Sequence, residues 1–478
     1  MNRQLKWVTI AVLLMFVAIF TSSTVITVFK ADTLNADRRN VRTLNDSYSA
    51  ERGPILVDGQ AIAESTPAAD RYRFQRVYAN PRLYSAVTGY FTLNQGNTGV
   101  EGDLSNYLSG NANDQFLAKV SAIFTGQTPK GGSVSLTINP KVQQAAWDAL
   151  GDNAGSVVAI NPRTGAILAM VSKAAFDPNL LASHDSKAVI GAYRQLLADP
   201  SKPLINRAIA GDLYYPGSVF KLVTTSAAID SGKFTAQSTF PNPGSLALTG
   251  TTTNINNAEG GDCGGAATVS IADALRLSCN IPMAQLGESL GGGELKKYAS
   301  AFGFGQKLTI PMRVTPSIYN IGDTAQVQLS AFGQFEDRVT PLQVAMISAA
   351  IANGGSLMKP TLVKNITAPD LTEIQGFQQS VFSRPITPAT SAIMTQLMVN
   401  NVKNGVASNA RISGVDVAGK TGTAQNGNGK PYTLWFTGFA PANDPQVAIA
   451  VVVENGKSFG NVVAAPIARK VIEAVLGQ

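Results

Sequence analysis

The first pair of residues suited to acyl transfer is Ser218 and Lys221. They are three residues apart, so on a helix they share one face. A serine hydroxyl is a weak nucleophile until a base removes its proton, and a buried lysine can be that base because desolvation lowers its pKa. A helix is predicted from Ser218 to about Ile229, and the N–H groups at its start would favour a developing oxyanion.

Two further groups of polar residues follow this pair. Ser278 could pass a proton to a leaving group, and the carboxamide of Asn280 could both donate to and accept from a peptide bond. The third group lies on a predicted strand and consists of Lys420, Thr421, Gly422 and Thr423. Its ammonium and hydroxyl groups suit a carboxylate, and its glycine would let a substrate approach the backbone closely.

None of these groups is specific when it is taken alone. The S-x-x-K spacing recurs at Ser356–Lys359, and the S-x-N spacing recurs at Ser109–Asn111. The ordinary explanation of a single match is a capping serine with a solvated lysine, or a polar loop. The three groups therefore carry weight only as an ordered set.

The rest of the composition restricts the chemistry that this set could perform. The chain has one histidine, His184, in a polar loop, so a histidine-based triad would need that residue. Because the chain has only one histidine and two cysteines, we expect no metal site, and we expect no cofactor. The net charge of +7 is spread over 478 residues without a basic, aromatic-rich stripe, which argues against nucleic-acid binding.

The two cysteines leave two interpretations open. Cys263 and Cys279 enclose a short segment, and an extracytoplasmic domain would allow a disulfide that contributes roughly 3 kcal/mol in the chain-entropy model. Reduced thiols buried as small apolar groups are the alternative, because the sequence does not show whether the Cα atoms approach within bonding range.

An uncharged stretch near the N-terminus predicts a membrane-spanning helix. Trp7–Phe29 has no charged residue and is long enough to cross the roughly 30 Å hydrocarbon layer. Basic residues lie on both sides, so their distribution does not set the orientation. A cleaved signal peptide is the competing interpretation, although the run is long and no clear cleavage site follows. We expect an uncleaved signal anchor, with residues 1–6 in the cytoplasm, a polar linker over 31–50 and residues 31–478 outside.

Turn residues divide the remaining chain into two predicted parts. Residues 51–133 mix short apolar runs with Gly, Pro and Asn, and a boundary is predicted at Gln127–Gly132. Beyond it, Ser156–Ile160 and Ala166–Val171 flank a turn and predict a β-hairpin.

One helix in the second part has a clear start signal. Thr340 is expected to cap a helix that begins at Pro341, with the Gln343 side chain bonding back to the cap. Strand-like runs near the C-terminus, together with the predicted hairpin, place strands at both ends of this part. The pattern predicts an α+β fold, with helices packed on an antiparallel sheet.

The ordered triplet S-x-x-K, S-x-N and K-T-G resembles the active-site signature of penicillin-binding proteins and serine β-lactamases. The resemblance extends to Asn206–Ala208 and Trp435–Pro441, and upstream to Arg52–Ile55, which resembles the opening motif of the non-catalytic domain of class B members. Gly99–Glu101 is similar to the small actinobacterial class B proteins, the penicillin-binding protein A type. The resemblance covers roughly residues 50–478.

This resemblance implies an architecture and a function. Residues 30–133 would form a small mixed pedestal or dimerisation-type domain. Residues 134–478 would form the transpeptidase domain, an antiparallel sheet with helices on both faces and a helical subdomain. The protein would cross-link peptidoglycan stem peptides by D-Ala-D-Ala transpeptidation during growth or division, and β-lactams would acylate it.

The resemblance also assigns roles to single residues. Ser218 would attack the peptide carbonyl and Lys221 would accept its proton. Ser278, with Lys221 or Lys420, would pass a proton to the departing D-alanine, and Asn280 would hold the donor peptide. Backbone N–H groups of Ser218 and Thr423 would form the oxyanion hole. The terminal carboxylate would bind Lys420, Thr421 and Thr423, with Gly422 allowing close approach.

Other functions are compatible with part of these observations. A β-lactamase shares the triplet but is usually a single domain, and a β-lactam sensor would need more cytoplasmic sequence than residues 1–6 provide. A non-catalytic scaffold would have lost part of the triplet, and attack by water in place of an amine would make a carboxypeptidase. The stretch before residue 134 is too short for a glycan polymerase, so a separate polymerase and other division or elongation proteins are the expected partners.

Overall fold

The structure is a computed structural model that describes residues 2–30, 34, 50–112 and 130–478, apart from residues 259, 321 and 428. Most of the predicted linker over 31–50 and residues 127–129 of the predicted boundary therefore lie outside the described residues.

The described part of the chain contains strands and helices in alternation. The strands are β1 (Ile55–Val57), β2 (Gln60–Pro67), β3 (Phe74–Tyr78), β4 (Ser133–Leu136), β5 (Gly155–Ile160), β6 (Ile167–Lys173), β7 (Thr239–Pro241), β8 (Ser245–Ala247), β9 (Asn254–Asn256), β10 (Thr268–Ser270), β11 (Leu308–Thr309), β12 (Arg313–Val314), β13 (Leu357–Met358), β14 (Val363–Thr367), β15 (Glu373–Gln375), β16 (Val381–Ser383), β17 (Ala418–Ala424), β18 (Tyr432–Ala440) and β19 (Val447–Gly456). The helices are α1 (Asn2–Thr24), α2 (Pro81–Thr88), α3 (Gly99–Asp103), α4 (Ser105–Leu108), α5 (Pro140–Leu150), α6 (Asn179–Ala182), α7 (Ser186–Ala198), α8 (Lys221–Asp230), α9 (Ile271–Arg276), α10 (Ile281–Leu290), α11 (Gly292–Ala301), α12 (Thr324–Ser330), α13 (Pro341–Ala352), α14 (Pro388–Asn404) and α15 (Gly460–Leu476). A π-helical turn (Val25–Phe29) and 3₁₀ turns (Gly217–Val219 and Ser408–Ala410) complete the set.

Helix α1 and the turn after it form one apolar rod. The segment Arg3–Phe29 has a mean hydropathy of 2.3 in its most apolar window, and none of that window is buried against the described part of the protein. A buried core helix would be covered by protein, so this exposure leaves a membrane span or a signal sequence.

The larger unit is built on a five-stranded antiparallel sheet in the order β17-β18-β19-β5-β6. The predicted hairpin is present as β5 and β6, with Val157 opposite Val171. Successive residues of β19 point to opposite faces, so Ala450 belongs to one core and Val451 to the other. Helix α13 covers the first face, and α15 with α5 covers the second, so both faces are buried.

The smaller unit contains a six-stranded sheet in the order β15-β14-β4-β1-β2-β3. Strands β1 and β4 pair in parallel, and the other neighbours pair antiparallel. Strands β14 and β15 come from the middle of the predicted 134–478 domain. The chain therefore returns to complete the pedestal sheet, which joins the two predicted domains through a shared set of backbone hydrogen bonds.

The start of α13 is partly as predicted. Thr340 Oγ1 accepts a hydrogen bond from Gln343 N at 3.1 Å, which is the expected N-cap. The expectation that the Gln343 side chain bonds back to the cap is wrong. Its amide Nε2 donates instead to Phe302 O at 2.7 Å, because that carbonyl at the end of α11 is buried and needs a donor.

Candidate active site

Ser218 lies in the 3₁₀ turn Gly217–Val219, immediately before α8. The helix predicted to begin at Ser218 therefore starts as this tighter turn and becomes α-helical at Lys221. Gly217 has φ +53°, and a Cβ added there would lie 3.0 Å from Ala424 Cβ on β17. A larger residue would push the turn away from the strand, so this glycine brings the nucleophile turn and the K-T-G strand together.

Lys221 extends from α8 into a fully buried environment and contacts the S-x-N group. Its Nζ atom lies 2.6 Å from Ser278 O, 2.8 Å from Asn280 Oδ1 and 3.4 Å from Ser278 Oγ. These three oxygens are neutral, so they orient the amine without compensating a positive charge.

Lys420 reaches the same serine from β17. Its Nζ atom lies 2.7 Å from Ser278 Oγ and 2.9 Å from Thr421 O, and its side chain is also fully buried. The hydroxyl of Ser278 therefore lies between two lysine amines. Ser278 has φ +62°, a left-handed conformation that costs a non-glycine residue about 1 kcal/mol or more. Such local strain is common where a side chain is held for function.

The electrostatics of this cluster favour an uncharged base. Burial, and secondarily the neighbouring Lys420, lower the pKa of Lys221 well below its usual value. Burial lowers the pKa of Lys420 to about 7. Among the described residues, no carboxylate forms a hydrogen bond or ion pair with either lysine. These effects shift Lys221 towards its uncharged form, whose free lone pair a general base requires.

The hydroxyl of Ser218 is half-buried and makes no hydrogen bond within the described part of the chain. Catalytic hydrogen bonds are often loose before substrate binds. The nucleophile is thus accessible, one helical turn from the buried amine of Lys221.

The K-T-G strand is the edge of the five-stranded sheet. Thr421 and Thr423 share the face opposite Lys420, because side chains alternate along a strand. Thr421 is buried, with Oγ1 3.5 Å from Val406 O, whereas Thr423 is half-exposed and accepts a bond from Gly460 N at 3.2 Å. A Cβ added at Gly422 would lie 3.1 Å from Trp435 Cβ and 3.3 Å from Pro216 O, so only glycine fits there comfortably.

Two asparagines that the sequence did not single out hold the S-x-N loop. Asn257 Oδ1 accepts from Asn280 N at 2.8 Å and from Ile281 N at 3.2 Å, and Asn256 O accepts from Asn280 Nδ2 at 3.0 Å. They lie in a polar stretch without any spacing that marks them. Only the long-range fold shows that they orient Asn280.

Cys263 and Cys279 form a disulfide with Cα atoms 5.8 Å apart. Cys279 lies between Ser278 and Asn280, so the bond ties the active-site loop to the polar segment before β10. The competing interpretation of two reduced thiols does not describe this structure.

The other candidates from the sequence lie away from this cluster. His184 is bonded to Asp70 and stacks beside Tyr72, so it contacts the pedestal and not Ser218. The two chance motifs at Ser356–Lys359 and Ser109–Asn111 make only local or unrelated contacts. The three ordered motifs are therefore the ones that the fold brings together.

Comparison with known protein families supports this assembly. Residues 155–473 match the penicillin-binding protein transpeptidase domain, and residues 52–134 match the penicillin-binding protein A dimerisation domain. The chain belongs to the penicillin-binding protein transpeptidase family. The predicted family, fold class and enzyme class are confirmed by these matches.

Full-length relatives agree with the family assignment. The chain is 41% identical to the peptidoglycan D,D-transpeptidase PbpA of Mycolicibacterium smegmatis, over 100% of this chain and 99% of that protein. It is also 41% identical to PbpA of Mycobacterium tuberculosis, with the same coverage.

Solved structures of penicillin-binding proteins show the same fold. The M. tuberculosis penicillin-binding protein A in a ceftriaxone acyl-enzyme complex superposes with a TM-score of 0.87 and 40% identity, covering 90% of this chain and all of that one. The penicillin G acyl-enzyme complex of that protein gives a TM-score of 0.85 and 40% identity, covering 89% of this chain and all of the other.

Proposed function

We propose that Ser218 is the nucleophile of this D,D-transpeptidase and forms an acyl-enzyme with peptidoglycan stem peptides and with β-lactams. The observation that carries this proposal is the hydrogen-bonded chain of Lys221, Ser278 and Lys420 beside the nucleophile turn, in which both lysines are fully buried. It supplies an uncharged amine as base and a hydroxyl that contacts both lysines.

Acylation begins when Ser218 Oγ attacks the carbonyl carbon between the two terminal D-alanines and Lys221 Nζ accepts the hydroxyl proton. The N–H groups of Ser218 and Thr423 stabilise the oxyanion. The C–N bond then breaks. Ser278 Oγ donates its proton to the departing amine and recovers a proton from Lys221, so free D-alanine leaves and the acyl-enzyme ester is formed.

Deacylation reverses the proton path. An amine of a neighbouring stem peptide attacks the ester carbonyl and loses a proton through Lys221. The ester C–O bond breaks, Ser218 Oγ regains the proton, and an amide cross-link is released. Attack by water would instead give D,D-carboxypeptidase activity.

Donor binding uses the edge of the sheet and the S-x-N loop. An extended peptide could pair with the free edge of β17, and the carboxamide of Asn280 could hold one of its peptide bonds. The terminal carboxylate would lie at the edge of β17, where the ammonium group of Lys420 from one face and the hydroxyls of Thr421 and Thr423 from the other could approach it. This arrangement would place the scissile carbonyl over Ser218.

The proposal extends to the location of the enzyme. Residues 1–6 would lie in the cytoplasm, 7–29 would anchor the chain, and the catalytic domain 134–478 would work outside the membrane. Residues 30–133 would be the pedestal that raises it and a docking surface for a separate glycan polymerase and for division or elongation proteins. The apolar surface of α1, which no described residue covers, supports the anchor.

The test is intact-mass analysis of the full-length protein in detergent after mixing with benzylpenicillin. We expect a stable adduct equal to the mass of the drug in the wild type, and no adduct in a Ser218→Ala variant with unchanged melting temperature. An adduct that persists in Ser218→Ala would refute the assignment of the nucleophile.

The same measurement distinguishes a transpeptidase from a β-lactamase, which is the main alternative. Rapid loss of both adduct and intact drug would indicate a β-lactamase, which needs a placed base to activate water against the ester. No carboxylate hydrogen-bonds to Ser218, Lys221 or Ser278 in the described ranges, so slow deacylation of the drug is the expected behaviour.

A further inference from the structure

The segment Gly333–Val339 packs directly against the nucleophile turn. Gly217 N donates to Gly333 O at 2.9 Å, and a Cβ added at Gly333 would lie 2.1 Å from Gly217 O. Further along, Tyr214 and Val339 exchange two backbone hydrogen bonds of 3.0 and 2.8 Å. The charged residues of this segment are therefore next to the active site, although the catalytic steps above use none of them.

Arg338 holds its guanidinium group in a fixed position beside the nucleophile turn. Its Cζ atom lies 3.4 Å from the centre of the Tyr215 ring, three residues before Ser218. Its Nη1 atom donates to Asp337 O at 2.9 Å and to Phe335 O at 3.3 Å. Both Arg338 and Tyr215 are half-exposed. The plane of the guanidinium is thus held by ring and backbone, while Nε and Nη2 make no hydrogen bond in the described part of the protein.

Across the described ranges, Arg338 forms no ion pair with a carboxylate. Glu336 is exposed and accepts from Asn320 Nδ2 at 2.8 Å. Asp337 has no exposed surface, and burial raises its pKa well above the usual value, which disfavours its ionised form. Glu454, the carboxylate that accepts from Tyr214, is paired with Arg207 at 2.9 Å.

We propose that Arg338 is a specificity-determining residue that binds a carboxylate on the donor peptide, on the acyl side of the scissile bond. A stacked guanidinium with free N–H groups suits the planar, two-oxygen geometry of a carboxylate. The C-terminal carboxylate of the donor is assigned to Lys420, Thr421 and Thr423. The group at Arg338 is therefore a second carboxylate, on the part of the peptide that stays attached to the enzyme. This inference rests on the proposed role of Ser218.

Two β-lactams make a matched pair of probes. Carbenicillin differs from benzylpenicillin by one carboxylate on the acyl side chain, which is the part that corresponds to the donor side of the peptide. We would measure the second-order acylation rate constant of each drug with the wild type and with Arg338→Gln. The expected result is that the carbenicillin-to-benzylpenicillin ratio falls by roughly tenfold or more in the variant, while the benzylpenicillin rate changes far less.

Two further variants make the result specific. Arg384→Gln removes an exposed arginine whose Nη1 bonds Ser356 Oγ, far along the chain from the turn, and it should leave the ratio unchanged although the net charge falls equally. Arg338→Lys keeps the charge without the planar group, and it should keep part of the preference. It also serves as the test if Arg338→Gln does not fold.

The outcomes distinguish binding of a carboxylate by Arg338 from a purely structural role of Arg338. An equal loss of rate for both drugs would show that Arg338 only holds Tyr215 in place. Unchanged rates for both drugs would show that it does neither. Each outcome overturns the inference. Failure of the wild type to form any adduct would instead overturn the role of Ser218, so the two proposals fail in different ways.

Discussion

The pedestal and the active site each bury two basic side chains, but only those in the pedestal have a carboxylate as a partner among the described residues. In the pedestal, Glu101 lies between two arginines, with Arg52 Nε at 2.5 Å and Arg76 Nε at 2.6 Å from its carboxylate oxygens. All three side chains have at most 2% exposed surface. In the active site, Lys221 and Lys420 are equally buried but contact only neutral oxygens.

This difference decides which groups can react. Burial by itself would raise the pKa of Glu101, but Arg76 and Arg52 outweigh it and hold that pKa below its usual value. The pedestal cluster therefore stays ionised and serves as structure. Within the described ranges, no carboxylate contacts the two lysines to offset their desolvation, so they tend to lose their protons. A buried cation without a counter-charge lowers the stability of the protein. In this active site, the same burial that lowers stability also produces an amine that can act as a base.

The strongest test of this comparison is Lys221→Met. Methionine has a similar length without an amine, so we expect the rate of acylation by benzylpenicillin to fall by roughly 10²- to 10⁴-fold, the usual contribution of a general base. The free energy of unfolding should stay within about 1 kcal/mol of the wild type or rise, because the variant no longer buries an amine. Stopped-flow kinetics would measure the acylation rate, and urea unfolding would measure the free energy of unfolding. A large loss of stability would break the comparison.

The opposite result is expected in the pedestal for Glu101→Gln. This change keeps the shape but leaves two buried guanidinium groups without a counter-charge, so we expect the protein to lose about 3–5 kcal/mol of unfolding free energy. The fraction that is still folded should react with benzylpenicillin at the wild-type rate. Glu64→Gln, on the exposed side of β2, is the matched control and should change stability by at most about 0.5 kcal/mol. Similar losses in both variants would remove the special role of Glu101.

The smallest effect is the pH dependence of acylation, which should be bell-shaped. The rising limb reports loss of the proton from Lys221, whose pKa is lowered by burial and by Lys420. The falling limb, near pH 7, reports loss of the Lys420 proton and weaker binding of the drug carboxylate. Lys420→Met should remove the falling limb and move the rising limb to higher pH, because the repelling charge is gone. If the pH profile of Lys420→Met were identical to that of the wild type, the proposed electrostatic coupling between Lys221 and Lys420 would be wrong.

Both clusters gain stability as the pH rises, but in different pH windows and for different reasons. The Lys420 pKa is lowered on folding, so the unfolded chain binds the extra proton and the wild type gains stability relative to Lys420→Met as pH rises from about 7 towards 10.5. The Glu101 pKa is also lowered, but its ionised form is the favoured one. Its contribution is present above about pH 4.5 and is lost as pH falls through the folded-state pKa.

Local signals predicted much of the fold. The hairpin of β5 and β6 and the Thr340 cap depend on turn residues and backbone donors close in sequence, and both are present. Contacts between distant segments were not predictable in this way. The Gln343 amide was assigned to its own cap, whereas it reaches Phe302 O on another helix. The return of β14 and β15 to the pedestal sheet has no local signature either.

The sequence by itself determined the reactive groups and their order, because two serines, two lysines and an asparagine stand in the chain at fixed spacings. It also determined that any catalytic triad based on histidine would have to use His184. Only the tertiary structure decided that both lysines meet Ser278, that Cys279 is bonded to Cys263, and that Arg338 stacks on Tyr215. The physical reason is that pKa and reactivity depend on burial and on neighbours from distant segments, and folding alone brings those together.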